Sequence, residues 1–285
     1  MRFFIGLLVL IISVFGTFAL IGGNLLALYQ PGELGIIGGA AIAAFIIANP
    51  KSVIMGTLKK FKYSLKEAPY KKEDYVSMLL CLLDVFKLIR NKGMLAIEND
   101  IDNPEESEIL KKYPVLLNDK ESLNFFCDYL RVIGMGLDNH YQLDDLMNQE
   151  IDTHHEDHEI LIGSLRNLSD GLPAIGIVAA VLGVIKTMSS MSEPPEVLGR
   201  LIGGALVGTF LGVFLSYCLL TPIYTAISQY LDSKGKLMLC IKTALISHMQ
   251  GLPPIISVEA ARKTIPGMFR PSFAEVEEKM NETPA

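Results

Sequence analysis

A chain of 285 residues has room for two soluble domains, yet 50% of it is hydrophobic against 20% charged, with a mean hydropathy of +0.37, too apolar for a wholly soluble fold. Its net charge of -6 supplies no basic footprint, so a nucleic acid is not an expected partner. The 4 cysteines, Cys81, Cys127, Cys218 and Cys240, form no C-x-x-C pair and read as reduced, buried small hydrophobes, not as a disulfide or zinc framework.

A membrane-spanning helix needs about 20 mainly apolar residues, and four windows qualify: 3–27, 34–48, 172–191 and 201–224. The opening, Arg2 and an apolar run with small residues up to Ala19, has the outline of a secretory signal, but the run continues through residues 20–28 and reads as a span. No basic residue falls in 28–33, whereas Lys51, Lys59, Lys60, Lys62, Lys66, Lys71 and Lys72 follow the second window closely. That asymmetry places the segment after it in the cytoplasm. The turn between windows three and four has Lys186 and Arg200 near it, opposed by Glu193 and Glu196, while the tail adds Lys234, Lys236, Lys242, Arg262, Lys263 and Arg270. Both termini are therefore expected in the cytoplasm.

The insert between the hairpins reads as helical. Over 75–91, Leu79, Leu82, Leu83, Phe86 and Ile89 share one face, and Asp84, Lys87 and Asn91 form a narrow polar strip. Leu80, Cys81, Val85 and Leu88 widen the apolar surface, so this helix is expected to be packed on most sides. Asn103-Pro104 breaks the chain, and Glu105, Glu106 and Glu108 are expected in the first turn of a new helix, where acids suit the helix dipole. Helical patterns follow over 123–137 and 143–161 and, after Pro222, to about Met249; the polar stretch 272–285 is expected to fray. The expectation is an all-α polytopic membrane protein with four transmembrane helices: a hairpin over 1–50, a cytoplasmic helical domain over 51–168, a second hairpin over 169–224, and a cytoplasmic helix and tail over 225–285.

The fourth window holds no acid, base or histidine and carries Gly204, Gly208 and Gly212 in one row; in the third, Pro173, Gly176, Ala180 and Gly183 share a face and Lys186 is the only charge. Such faces let another helix approach closely. They cannot carry a proton, so if these spans line an ion path the titrating carboxylate has to come from another chain. Thr209, beside the glycine row, offers a hydroxyl that can also bond back to its own helix. Pro222 interrupts the backbone ladder where the fourth span ends, a kink on the residues alone. His154 and His158 stand one helical turn apart with no third ligand pinned to them, which fits a solvated face better than a metal site. There is no phosphate-binding glycine loop and no nucleophile–base pair of recognisable spacing, so neither an enzyme nor a cofactor is expected. Arg90 and Glu98 read on their own as solvated charges, with docking charges as the alternative.

Several segments together carry a family resemblance: ALYQPGEL at 27–34, NPEESE at 103–108, LPAIGIVAAVLGVIKTM at 172–188, ALVGTFLG at 205–212, and VEAARKTIP and RPSFAEVEE in the tail. In this order they resemble the flagellar stator proteins of the MotA type, within the MotA/TolQ/ExbB proton-channel family. The resemblance implies an inner-membrane stator subunit that, with a single-span partner of the MotB type, couples proton influx to torque on the rotor. It implies a homo-oligomeric ring, a pentamer around two partner helices, with the partner supplying the aspartate that titrates. Arg90 and Glu98 match charges that face the rotor switch protein of the C-ring. Pro173 and Pro222 match prolines at the cytoplasmic ends of the channel helices, and Glu150 and Asp170 match further acidic positions. Sodium-driven relatives carry threonine where this chain has Ala180, so the proton is the expected ion. The alternatives are a sodium-driven stator, an energiser of the ExbB or TolQ type, a secondary transporter and a structural scaffold.

Overall fold

The computed structural model describes residues 2–66 and 69–282, and among them every regular element is a helix. Four helices are long and apolar enough to cross a membrane, as the hydropathy windows lead one to expect. Their limits differ from the windows for definite reasons. The first, α1 (Arg2–Leu20), stops short of Ala27 because Gly22, at φ 86°, turns the chain, and Asn24 then caps a short 3-10 turn by accepting from the Leu26 amide. The second, α2 (Pro31–Ala48), begins before Leu34, with proline at the first helical position, where its missing N–H costs nothing. The third and fourth windows are stretches of much longer helices, α8 (His140–Met188) and α9 (Pro195–Met249). Hydropathy changes along them while the helix itself runs on.

The chain divides into two compact units. One comprises Met1–Glu67 and Asp157–Tyr230, the other Ala68–Glu156 and Leu231–Ala285. In the first, α1 buries none of its residues within the chain, which suits a lipid-facing helix, and Phe15 meets Phe210 and Phe214 of α9 edge-on, at 6.4 and 5.3 Å between ring centres. Helix α2 packs against α8 through a small core of Ile37, Ala41, Leu172 and Ala179. After Pro50 a short helix, α3 (Lys51–Lys60), lies on α8, where Thr57 and Ser164 hydroxyls meet at 3.3 Å.

The second unit is built around α4 (Lys72–Lys92), which buries Tyr75, Met78, Leu79, Leu80, Cys81, Leu82, Leu83, Val85 and Phe86. A helix so enclosed needs apolar residues nearly all round. The short helices α5 (Glu98–Asp102) and α6 (Glu108–Lys112) and the longer α7 (Lys120–Gly134) pack about it with Leu237, Ile241, Ala244 and Leu245 from the end of α9. Glu105 and Glu106 are not in the first turn of α6. Ser107 caps that helix by accepting from the Leu110 amide, which leaves only Glu108 inside it. The tail forms two helices, α10 (Pro254–Thr264) and α11 (Phe273–Glu282), rather than fraying from 272 onwards. A reciprocal capping box starts α11, with the Ser272 hydroxyl accepting from the Glu275 amide at 3.2 Å and the Glu275 carboxylate from the Ser272 amide at 2.6 Å. Val276 is buried, and Glu275 pairs with Lys72 at 2.5 Å; only the expectation for 283–285 lies outside the described residues.

One polar knot is enclosed in this unit. Asp119 accepts from Lys234 at 2.7 Å, from Ser122 at 2.8 Å and from the Tyr70 hydroxyl, while Lys234 also reaches Glu121 at 2.9 Å. Burial works against the charge of Asp119, but these hydrogen bonds outweigh it and hold the carboxyl below the usual carboxylate range. Lys234 is held above the usual lysine range by the same partners, against its own burial.

Candidate functional site

The two spans that carry the strongest motifs meet backbone to backbone. A Cβ built on Gly176 would lie 2.8 Å from the Gly208 carbonyl oxygen and 2.9 Å from the Gly212 Cα; one on Gly212 would lie 2.7 Å from the Leu172 carbonyl oxygen and 2.8 Å from the Gly176 Cα. At Gly208 a Cβ would be 3.1 Å from the Ala180 nitrogen, and at Gly183 it would be 2.8 Å from the Ala205 Cβ. The small-residue faces of α8 and α9 thus have each other as mates, and at Gly176 and Gly212 no side chain fits between the helices. Gly204, the first of the row, lies instead beneath the Gln30 side chain, whose amide nitrogen would be 3.2 Å from a Cβ there.

Ala180 and Thr209 flank the seam, both half-buried, next to the close approach at Gly208. On the outer side of α8, Ile177, Val178, Val181, Leu182 and Ile185 are uncovered, and on α9 so are Ile202, Leu206 and Tyr217. These surfaces are apolar and uncharged, fit for lipid or another helix and unfit for water.

At the opposite end of the seam the packing is polar. The buried Ser169 hydroxyl lies 3.2 Å from the Ser216 carbonyl oxygen, 3.3 Å from the Ser216 hydroxyl and 3.1 Å from that of Thr221. Pro173 and Pro222 bracket this cluster. Each lacks the N–H that a helix would offer to the carbonyl four residues back. The ladder of α9 opens just before Pro222 into a π turn over Phe214–Leu220, and Ser169 donates to a carbonyl inside it. Pro222 therefore sits in a continuous helix with a local rearrangement rather than at a helix end. Ser169 and Thr221 were not singled out by sequence, nor was Glu33, whose Oε2 is buried between the spans without a hydrogen-bond partner.

The charged candidates fall in the second unit. Arg90 is exposed in the last turn of α4 and Glu98 is exposed in the first turn of α5, so each also complements a helix dipole. Gly93, at φ 82°, turns the chain between them, and a cleft of about 440 Å³ lies here, lined by Lys92, Met94, Leu95, Glu98, Arg131 and Met135. Leu95 and Met135 are each 83% exposed on its rim. Near Arg90, His248 stacks on Phe86 with ring centres 4.4 Å apart. Its Nδ1 is buried without a partner, and burial together with the Arg90 charge holds the imidazole below its ordinary range.

Glu150 is half-buried, beside the Tyr129 hydroxyl and 3.8 Å from His154, whereas Asp170, in the first unit, is exposed. Among the described residues no three His, Cys, Asp or Glu side chains converge on a point that could hold a metal.

Residues 4–93 match the family described as motility protein A N-terminal, and residues 122–239 match the MotA/TolQ/ExbB proton channel family. The chain is 44% identical over 278 residues to motility protein A of Salmonella typhimurium, covering 98% of this chain and 94% of that protein. It is 43% identical to motility protein A of Escherichia coli over the same shares, and 31% identical to chemotaxis protein LafT of Vibrio parahaemolyticus over 99% of each. Two solved structures share the fold. The MotAB structure of C. jejuni superposes with a TM-score of 0.78 at 18% identity, over 93% of this chain and 95% of that one. The flagellar MotAB stator complex of Bacillus subtilis does so with a TM-score of 0.70 at 22% identity, over 97% and 96%.

Proposed function

The chain belongs to the MotA/TolQ/ExbB proton channel family, among its motility A proteins, and from that premise we propose that it is a stator subunit of the flagellar motor. With a single-span partner of the MotB type it forms a proton channel and turns proton influx into torque. The observation that carries this reading is the closed seam between α8 and α9. With backbone atoms in contact at Gly176 and Gly212, no ion passes between the two spans of one chain at this level. A path has to run along their outer faces, where this chain offers no charge, so several copies around a partner helix that brings the carboxylate fit better than a pore within one subunit. A pentameric ring around the partner is the arrangement we favour.

In that assembly Thr209 and Ala180 face the partner's aspartate, Thr209 with a hydroxyl that orients water and Ala180 without an oxygen ligand for sodium. Pro173 and Pro222 pass the change of protonation into movement. Arg90 and Glu98 are the docking charges toward the rotor switch protein. Glu150, half-buried beside Tyr129, serves the fold, and Asp170 stays exposed beside Ser169. The protein lies in the inner membrane with both termini cytoplasmic, the orientation that the lysines after α2 favour. An energiser of the ExbB or TolQ type is set aside, since the relatives matched along nearly the whole chain are motility proteins.

The test is co-expression with a MotB-type partner and measurement of proton flux and swimming speed against external sodium at fixed proton-motive force. Thr209→Val keeps the shape and removes the hydroxyl, so flux and torque should fall while the complex still assembles. Speed that rises with sodium and survives a protonophore would overturn the proton assignment.

A further inference from the structure

Glu33 is the only acid among residues 1–66, and it stands in the first turn of α2, inside a membrane hairpin. One oxygen of its carboxylate is turned away from water, between two other spans. Oε1 lies 2.9 Å from where a Cβ on Gly183 of α8 would stand, and Oε2 lies 3.0 Å from the corresponding point on Gly208 of α9. The two helices thus leave side-chain space open at the place where the carboxylate reaches them. Oε2 is buried and accepts no hydrogen bond. Gln30, one turn earlier, covers Gly204 and donates to the Ala27 carbonyl, and no hydrogen bond from it reaches Oε2 of Glu33. The charge acting on Glu33 from α8 is Lys186, three residues beyond Gly183; the nearest charged residue along α9 is Arg200.

An acid in the first turn of a helix is favoured by the dipole whether or not it is buried. That preference does not explain a carboxylate oxygen tucked between two other spans without a donor. Ionisable groups within a membrane are costly, and they mark ion paths and proton relays. The position suits a relay. It lies at the end of the hairpins where the α1–α2 and α8–α9 turns emerge, opposite the end that bears the lysines, and it touches Gly208, the neighbour of Thr209.

We propose that Glu33 is a proton-relay carboxylate belonging to this chain, which takes up a proton at the outer end of the spans and releases it inward to the partner's carboxylate. The step makes and breaks a single O–H bond and needs no co-reactant. It rests on the stator reading and on its orientation.

The experiment uses the full chain co-expressed with a MotB-type partner, and measures proton flux and swimming speed across external pH for the wild type, Glu33→Gln and Glu33→Asp. Membrane level and co-purification with the partner are followed in parallel. Glu33→Gln, the same shape without a titrating group, should lose flux by about tenfold or more, most severely at alkaline external pH. Glu33→Asp should conduct with a displaced pH profile. If the carboxyl merely fills the space between the spans, the glutamine variant keeps the wild-type flux at every pH, and the proposal is overturned. Should Glu33→Gln fail to assemble, the aspartate variant decides, and a profile superposable on the wild type refutes the relay. A wild-type complex that passes no protons would refute the stator reading instead.

Discussion

Gly212→Ala is the sharpest probe of the seam, because everything its Cβ would meet is backbone: the Leu172 oxygen at 2.7 Å, the Gly176 Cα at 2.8 Å and the Gly176 nitrogen at 3.1 Å. No rotamer change relieves these contacts. To bring the shortest up to an ordinary 3.4 Å the spans have to part by about 0.7 Å at this point, which loosens the contacts at Gly176 and Gly208 together. Overpacking of this kind costs about 1–3 kcal/mol. Alanine returns up to about 1 kcal/mol through its better helix propensity, so the net loss against the wild type is up to about 2 kcal/mol, and the deficit against a glycine-to-alanine control without the clash is the full overpacking cost of about 1–3 kcal/mol. Gly203→Ala, in the same helix with nothing within 4 Å of its Cβ, gains propensity without the clash and is the control. Unfolding of the detergent-solubilised protein by a graded denaturant, followed by circular dichroism, separates the two. A Gly212→Ala protein as stable as Gly203→Ala would mean that α8 and α9 do not meet as described.

Two further outcomes concern the second unit. Lys234→Met leaves the Asp119 carboxylate buried without its main partner and should cost about 3–5 kcal/mol; since Asp119 titrates below its unfolded value, its contribution is complete at neutral pH and is lost as pH falls below about 4. A denaturant series across acid pH should show that loss in the wild type and a flatter curve in Lys234→Met. His248 has a folded pKa below its unfolded value, so the fold prefers the neutral ring, and stability that is full above about pH 6.5 declines as pH falls through the folded value. Thermal midpoints against pH should show that decline in the wild type and lose it in His248→Phe, which keeps a stacked ring; an unchanged slope would rule His248 out as its source.

The glycine row of α9 was legible because a spacing of four puts residues on one helical face whatever surrounds them. Its mate in the same chain was not, since pairing Gly212 with Gly176 requires the register of two spans. The same holds for Ser169, Ser216 and Thr221, which are 47 and 52 residues apart along the chain and meet only when that register is set. Glu33 was missed for another reason. A hydropathy window closes at a charge, so the second span was drawn from Leu34 and the acid fell one residue outside it, although the helix starts at Pro31. The α11 capping box was present in the sequence as Ser272 and Glu275, and the polar composition of the tail concealed it.

These particulars divide the α8–α9 pair into a stiff part and a yielding one. Around Gly176, Gly208 and Gly212 the helices are in backbone contact, and any sliding has to lift one backbone over the other. Around Ser169, Ser216 and Thr221 they are joined by hydroxyl contacts of 3.1–3.3 Å, which re-form readily with a neighbouring oxygen. Here two prolines have removed ladder bonds, and a π turn has already shifted the pairing in α9. A bend placed at this end disturbs few helical hydrogen bonds, whereas one placed at the seam disturbs close packing along both spans. A bend in these two spans therefore meets least resistance near Pro173 and Pro222, and most at the backbone contacts of Gly176, Gly208 and Gly212.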